Sequence, residues 1–378
     1  MSVEFTIKKL DSLQSVSPEA WNLLTDGSNP FVQHQYLYGL EQYGCLDGHG
    51  WSPCHLAVYS DATLVGALPL YLRSNSYGEF VFDWAWADAY ERSGRKYYPK
   101  LVTAIPFAPV IGPRLLTRPG LPASNLIKHL LLEQVIQMAD RAELSSWHCL
   151  FPDVDVLEED VMSRHDLLQR ISCQFHWSNE AYRDFEDFLD ALTSKKRKQI
   201  KKERKSVHDS GIEIERIRGD QITEEQWSVF YDFYCSTFLR RWGSPRLTLD
   251  FFQALGRSMP TQTLLIMAKH GKSYVAGAFA MLGKDTLYGR HWGCTQQFSF
   301  LHFEVCYYQT IDYCIKNGLK RVDAGVQGEH KLARGFRPVG CVSWHWIRDP
   351  EFRDAIGKYL QMESSEMKSY LDSLNEHL

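Results

Sequence analysis

The sequence predicts an α/β protein in which one unit is built twice, and three observations carry that expectation. The chain has 378 residues, more than one hydrophobic core usually serves at about 150 residues per domain. Strand–turn–strand signals followed by a helix-period segment and a further strand occur once in each half. The second strand of each pair has small residues in its middle, LVGALPLYL at 64–72 and YVAGAFAML at 274–282. A repeated element order is the mark of internal duplication. Hydrophobic residues at 44% and charged residues at 23% exclude disordered and fibrous classes.

Residues 30–44 have helical spacing and close at Gly44, a C-terminal cap. Residues 54–60 and 64–72 read as two strands across the turn Asp61-Ala62. Residues 124–142 place Leu126, Leu130, Leu131, Val135, Met138 and Ala139 at a helix period, and 147–151 follow as a strand. In the second half, Thr223 with Gln226 forms a capping box that opens a helix over 223–241. Strands at 263–269 and 274–282 flank His270–Ser273, and 286–292 is another. A helix over 301–317 ends at Gly318, and 321–324 is the strand after it. The expected boundaries are 1–185 for the first domain, 186–210 for a linker helix and 211–378 for the second.

That linker is strongly basic. Residues 195–205 hold eight basic side chains and one acid, Glu203, so this block of +7 leaves −11 on the rest of a chain whose total is −4. On a helix, Lys195, Lys198, Lys202 and Lys205 share one stripe, and Arg197, Lys201 and Arg204 the next. Like charges so spaced repel unless an anion lies across them. Phosphates are the natural counter-ions, from RNA, coenzyme A or a nucleotide sugar. A solvated linker or an import signal has the same composition.

Aromatic residues reach 13% of the chain, and YGEFVFDWAWADAY at 77–90 is dense in them. Read as a strand, it sets Phe80, Phe82, Trp84, Trp86 and Asp88 on one face and Glu79 and Asp83 on the other. Large rings beside acids suit a cleft that stacks a flat or sugar-like group and holds an amine. Asp83, Trp84, Trp86, Asp88, Tyr90 and Tyr98 are the candidate acceptor-binding residues. The prolines of 97–114 argue against a regular interior strand there. That segment is expected to be a loop over the cleft, with Lys100 and Arg114 contacting an anion.

A third cluster lies at 290–304, RHWGCTQQFSFLHFE, and 318–338, GLKRVDAGVQGEHKLARGFRP. Acyl transfer to an amine needs a base, donors for the tetrahedral oxyanion and an anchor for the acyl donor. Glu304, or Glu329 with His330, supplies the base, and Gly325–Gly328 supplies main-chain donors. Arg290, His291, Gln327, Lys331 and Arg334 join Lys195, Lys198, Lys201, Lys202 and Lys205 as donor- or phosphate-binding candidates. Arg240, Arg241 and Trp242 form a weaker basic–aromatic cluster at a helix end, where the dipole favours cations anyway. No P-loop, GxGxxG, GxSxG or HExxH is present, so no metal site is expected. Nine cysteines without a CxxC pair read as reduced thiols. With no signal-type leader and no spanning segment, the expected location is the cytoplasm.

Together YGEFVFDWAWADAYER, YYPKLVTAIPFAPVIGPRLL, SKKRKQIKKERK, LHFEVCYYQTIDYCIKNGL and DAGVQGEHKLARGF resemble the FemAB-like proteins labelled peptidoglycan biosynthesis/recognition. That resemblance runs from about Asn29 to Ile347. It implies two tandem GNAT acyltransferase folds and transfer of an amino acid from aminoacyl-tRNA to an amine of a peptidoglycan precursor. The basic block resembles the segment that handles tRNA in such relatives, although here it is one helix long. The implied protein is an N-acyltransferase without a covalently held cofactor, using aminoacyl-tRNA or acyl-CoA as co-substrate and a small-molecule or peptide amine as acceptor. Three alternatives stay open: an acyl-CoA-dependent N-acetyltransferase, a non-catalytic module binding a cell-wall or nucleotide-sugar ligand, and an RNA-binding protein on a relic fold.

Overall fold

Strand pairing defines the architecture. The computed structural model describes residues 4–153, 161–163, 165–239, 243–326 and 328–376. Its first eight strands are β1 Phe5–Leu10, β2 Trp51–Pro53, β3 His55–Ser60, β4 Thr63–Leu68, β5 Tyr71–Arg73, β6 Lys100–Thr103, β7 Leu116–Thr117 and β8 Ser146–Leu150. The rest are β9 Leu168–Ser178, β10 Ile212–Arg218, β11 Thr263–His270, β12 Ser273–Leu282, β13 Thr286–Cys294, β14 Arg321–Asp323 and β15 Arg337–Ile347. The chain divides into two compact units, Met1–Cys173 with Gly340–Glu376, and Gln174–Val339.

In the second unit the strands run in the order β10-β11-β12-β13-β14-β9. The first four pair antiparallel. β13 and β14 are parallel, which requires a crossover, here the helical segment between them. The end of β9, His176–Ser178, closes antiparallel on β14. The first unit follows the same plan. β1, β3 and β4 form an antiparallel meander. β6 and β8 are parallel, bridged by the helix Ser124–Arg141. Ser343–Ile347 of β15 then closes antiparallel on β8. The fold is thus mixed α/β in two copies.

Each copy explains its small residues in the same way. A Cβ on Gly66 of β4 would come within 2.4 Å of Ile127 on the crossover helix. One on Gly277 of β12 would come within 2.7 Å of Met267 and 3.3 Å of Phe230. Only a missing side chain lets a helix or a neighbouring strand's large residue lie that close. The capping box is reciprocal: Thr223 N donates to Gln226 Oε1 at 2.9 Å, and Gln226 N to Thr223 Oγ1 at 3.2 Å.

The units differ from the expected boundaries. Residues 340–376 fall with the first unit because β15 pairs with β8 there. The terminal helix Pro350–Glu376 also packs Ile356 and Leu360 against Trp86, Tyr90 and Tyr97. The basic helix, Ser194–Asp209, is part of the second unit's core rather than a linker, burying Ile200, Glu203 and Val207.

Two local expectations are corrected. Residues 84–92 form a helix, Trp84–Arg92, not a strand. The letters that alternate by two also place Trp86 and Tyr90 four apart, and that helical pair is what the core buries. The segment 97–114 does contain an interior strand, β6, because Lys100–Thr103 fits between Pro99 and Pro106 and pairs with β5 and β8. None of the nine cysteines is joined in a disulfide. No described helix is long and apolar enough to cross a membrane.

Candidate active site in the second unit

The parallel pair β13/β14 separates after three residues. Thr286, Leu287 and Tyr288 pair with Arg321, Val322 and Asp323, where β14 ends while β13 runs on to Cys294. The gap opens into a cavity of about 110 Å³. Gly289, Arg290, His291 and Trp292 line one side, Ala278–Ala280 the floor, and His302, Cys306, Tyr307 and Thr310 the helical side.

That helical side is irregular. A π turn, Glu304–Tyr308, separates Leu301–Phe303 from Gln309–Lys316. Such turns insert an extra residue and often mark functional sites. Here three side chains of the turn reach separate partners. Glu304 meets Arg204 on the basic helix, through Nε–Oε2 and Nη2–Oε1 contacts of 3.2 Å each, and accepts from Gln309 Nε2 at 2.7 Å. The Tyr308 hydroxyl donates to buried Glu203. The Tyr307 hydroxyl lies 2.9 Å from His330 Nε2.

Electrostatics keep the cavity wall uncharged except for one pair. Asp323 sits against Arg290, with Nη2–Oδ2 at 2.8 Å, and accepts from Gly325 N at 2.9 Å. Burial opposes its ionisation, but Arg290 and His176 hold the carboxyl down to about 2. His176 Nε2 is 3.7 Å from Oδ1 of the same group. Burial brings His291 down to about 3, and His302 down to about 4 with help from His330, Lys331 and Arg334. The Cys306 thiol is pushed far up by burial and stays protonated.

Several candidates therefore have other roles than their spacing suggested. Glu304 is anchored to Arg204 and is not among the cavity-lining side chains. Glu329 is exposed at the start of the 3-10 turn Glu329–Arg334. Lys331 is buried with Nζ on the Ala324 and Gly325 carbonyls, at 2.8 and 2.9 Å. Arg334 donates to Glu203 at 2.8 Å and stacks on Phe303 with its guanidinium carbon 3.5 Å from the ring centroid. His291 is packed among Tyr234, Phe252 and Phe279. Arg290 and His291 still line the cavity. The Gly325 N–H expected for an oxyanion is already used by Asp323. Gln327, Arg240, Arg241 and Trp242 lie outside the described residues.

Along the basic helix, Lys201 pairs with Glu186 at 2.6 Å and Lys205 with Asp209 at 2.7 Å. Lys195, Lys198 and Lys202 are exposed on one stripe. Among the described residues, no carboxylate lies within ion-pair distance of these three. Glu203, which the sequence presents as a lone acid in a basic run, fixes the helix through Arg334 and Tyr308.

The acid–aromatic segment of the first unit builds an interior, not a cleft. Lys100 Nζ donates to Ser76 Oγ at 2.9 Å, Glu79 Oε2 at 2.8 Å and Asp83 Oδ2 at 2.5 Å. Its anions are thus internal carboxylates. Burial would lower Lys100's proton affinity, yet Glu79 and Asp83 raise it, so the ammonium stays charged. Tyr97 donates to Asp83 at 2.5 Å and neighbours His148, which contacts His345. Trp86 and Tyr90 are buried, Asp88 is exposed and paired with Arg92, and the Tyr98 hydroxyl bonds Ser76 at 2.7 Å. Of the proposed acceptor residues, Trp84 remains a large exposed ring.

The first unit's own gap is occupied. Past Leu150, Gly112 N donates to Phe151 O at 3.1 Å and Asp153 N to Gly112 O at 2.9 Å. Buried Arg114 donates to the carbonyls of Leu150, Gly112 and Val110. Arg114 thus ties these main-chain carbonyls together. The chain itself fills the place where the second unit has its cavity.

A family model matches residues 12–378, and its description is peptidoglycan biosynthesis/recognition, FemAB-like. The chain belongs to the FemAB-like family. It shares its fold with the solved structures of FemX and L-PGS. The solved structure of FemX is similar, at 11% identity over 92% of this chain and 99% of that one, with a TM-score of 0.57. L-PGS from Bacillus licheniformis is similar at 10% identity over 91% and 97%, with a TM-score of 0.53. A tandem GNAT protein from the clavulanic acid biosynthesis pathway matches at 12% identity over 92% and 99%, with a TM-score of 0.48. No curated protein sequence matches the chain.

Proposed function

We propose that this FemAB-like chain joins an acyl or aminoacyl group to an amine, with one donor site, the gap between β13 and β14. The observation that carries the reading is the asymmetry of the two copies: the second unit's gap holds a cavity and the first unit's is filled by residues 112–114. The acyl group enters the cavity, with the edge of β13 beyond Tyr288 offering main-chain donors to the developing oxyanion. The acceptor nitrogen attacks directly. The one thiol in the cavity wall, Cys306, is held protonated by its burial, and a thiol is a poor nucleophile without its thiolate.

The donor we favour is aminoacyl-tRNA. Lys195, Lys198 and Lys202 support it, as an exposed stripe of cations on a helix fixed to the site through Glu203–Arg334 and Arg204–Glu304. A peptidoglycan-precursor amine is the acceptor most consistent with the family. Incubating the protein with charged tRNA and, separately, acetyl-CoA, and mass-analysing donor consumption, tests this. Loss of the aminoacyl ester alone supports the reading. Consumption of acetyl-CoA alone replaces it with the CoA-dependent one, and consumption of neither, with ligand still bound, favours a binding module.

A further inference from the structure

We infer that Tyr307 is the general acid that protonates the leaving group, and that His330 connects it to solvent. The inference rests on the acyl-transfer reading of the β13/β14 cavity. Three observations carry it. Tyr307 lines the cavity assigned to the acyl group. His330 Nε2 is 2.9 Å from that hydroxyl, within hydrogen-bond distance. His330 is itself exposed while Tyr307 is buried, so the pair runs from interior to water. The π turn sets this register, since it directs the adjacent Tyr308 to Glu203 and leaves Tyr307 for His330.

The acceptor's free amine attacks the acyl carbon, forming the C–N bond. As the C–O bond to the donor's ribose breaks, the leaving oxygen takes the Tyr307 proton. The phenolate recovers a proton from His330 Nε2–H, and His330 takes one from water at Nδ1. The proton lost by the new amide nitrogen goes to solvent, so one proton enters and one leaves. Partial desolvation of its ring, then the nearby Arg334 and Lys331 cations, lower the proton affinity of His330 although the residue reaches solvent. The neutral imidazole that this favours can relay in either direction by changing tautomer.

General acid assistance matters most when the leaving group is basic. A ribose alkoxide needs the proton; a thiolate departs without it. The test is acyl transfer to hydroxylamine, an amine small enough to need no acceptor subsite, from alanyl-tRNA and from acetyl-CoA. The variants are Tyr307→Phe, His330→Gln and the double substitution. Tyr307→Phe is expected to slow transfer from the ester by ~100-fold or more and from the thioester by less than about tenfold. His330→Gln should slow the ester reaction and remove its dependence on pH near and below neutrality. The double variant should be no slower than Tyr307→Phe, since the two act as a unit. Equal slowing with both donors, or a change under about threefold with the ester, overturns the relay. Exposed His330→Gln keeps the test open if Tyr307→Phe does not fold. A wild-type protein that consumes neither donor overturns the acyl-transfer reading and the relay with it, which is a different result from an active wild type with an indifferent variant.

Discussion

Filling the β13/β14 gap should separate folding from function. Gly289 lines the cavity, and a Cβ there would meet only the Asp323 carbonyl oxygen, at 3.8 Å. Gly289→Val therefore adds a side chain without backbone strain, at a strand position where a β-branched residue is favoured. Replacing a strand glycine should itself stabilise by about 0.5–1 kcal/mol. The three added carbons, each on the order of the ~30 Å³ share of a water, take up most of the roughly 110 Å³ cavity. Overpacking of that kind costs about 1–3 kcal/mol in a well-packed site. If the penalty falls on the bound donor, affinity drops by roughly 10–100-fold. The assay is a thermal melt paired with donor consumption. Unchanged or higher Tm with activity at a few per cent is the expected result. Activity within threefold of wild type, with the variant folded, would refute the placement of the donor.

Other consequences are as concrete. Glu203→Ala strips a buried partner from Arg334 and Tyr308, so it should cost about 3–5 kcal/mol in a urea melt, while Lys202→Ala should cost nothing measurable. Reversing Lys195, Lys198 and Lys202 to Glu should leave the melt unchanged but flatten the salt dependence of tRNA binding. The slope should fall by about 0.7–0.9 for each phosphate that the helix no longer neutralises. Stability should fall as pH drops. His148 and His291 are held near 3 and His302 near 4, so the unfolded chain takes up protons below about 6.5 that the fold refuses. Asp323, held to about 2, contributes about 2–3 kcal/mol above pH 4 that is lost as pH falls toward 2. Urea midpoints that stay flat from pH 7 to 4.5 would contradict the buried neutral imidazoles.

The repeated element order was legible because it rests on periodicity and punctuation. Gly66 and Gly277, Gly318, and the Thr223–Gln226 box each act through local geometry that letters report directly. The site was legible only as a region. Glu304, Lys331 and Arg334 carry charges suited to catalysis, but charge pairs across elements claim Glu304 and Arg334, and two carbonyls claim Lys331. Such pairings depend on tertiary placement, which spacing does not encode. Tyr307 was missed because EVCYY gives both tyrosines the same local context, and only the π turn separates their directions. The segment at 77–90 misled for a related reason: alternation by two and helical spacing by four coexist in DWAWADAY, and burial of Trp86 with Tyr90 decided between them.

Direct transfer from a donor held in the second unit would leave the protein itself unmodified. Its most direct test is a rapid-quench reaction with aminoacyl-tRNA and an amine, followed by mass analysis of both small products and intact protein. Amide should appear in step with loss of the ester, while the protein keeps its unmodified mass throughout. An acylated protein species that forms and decays during turnover, or ester loss without amide, would contradict the account.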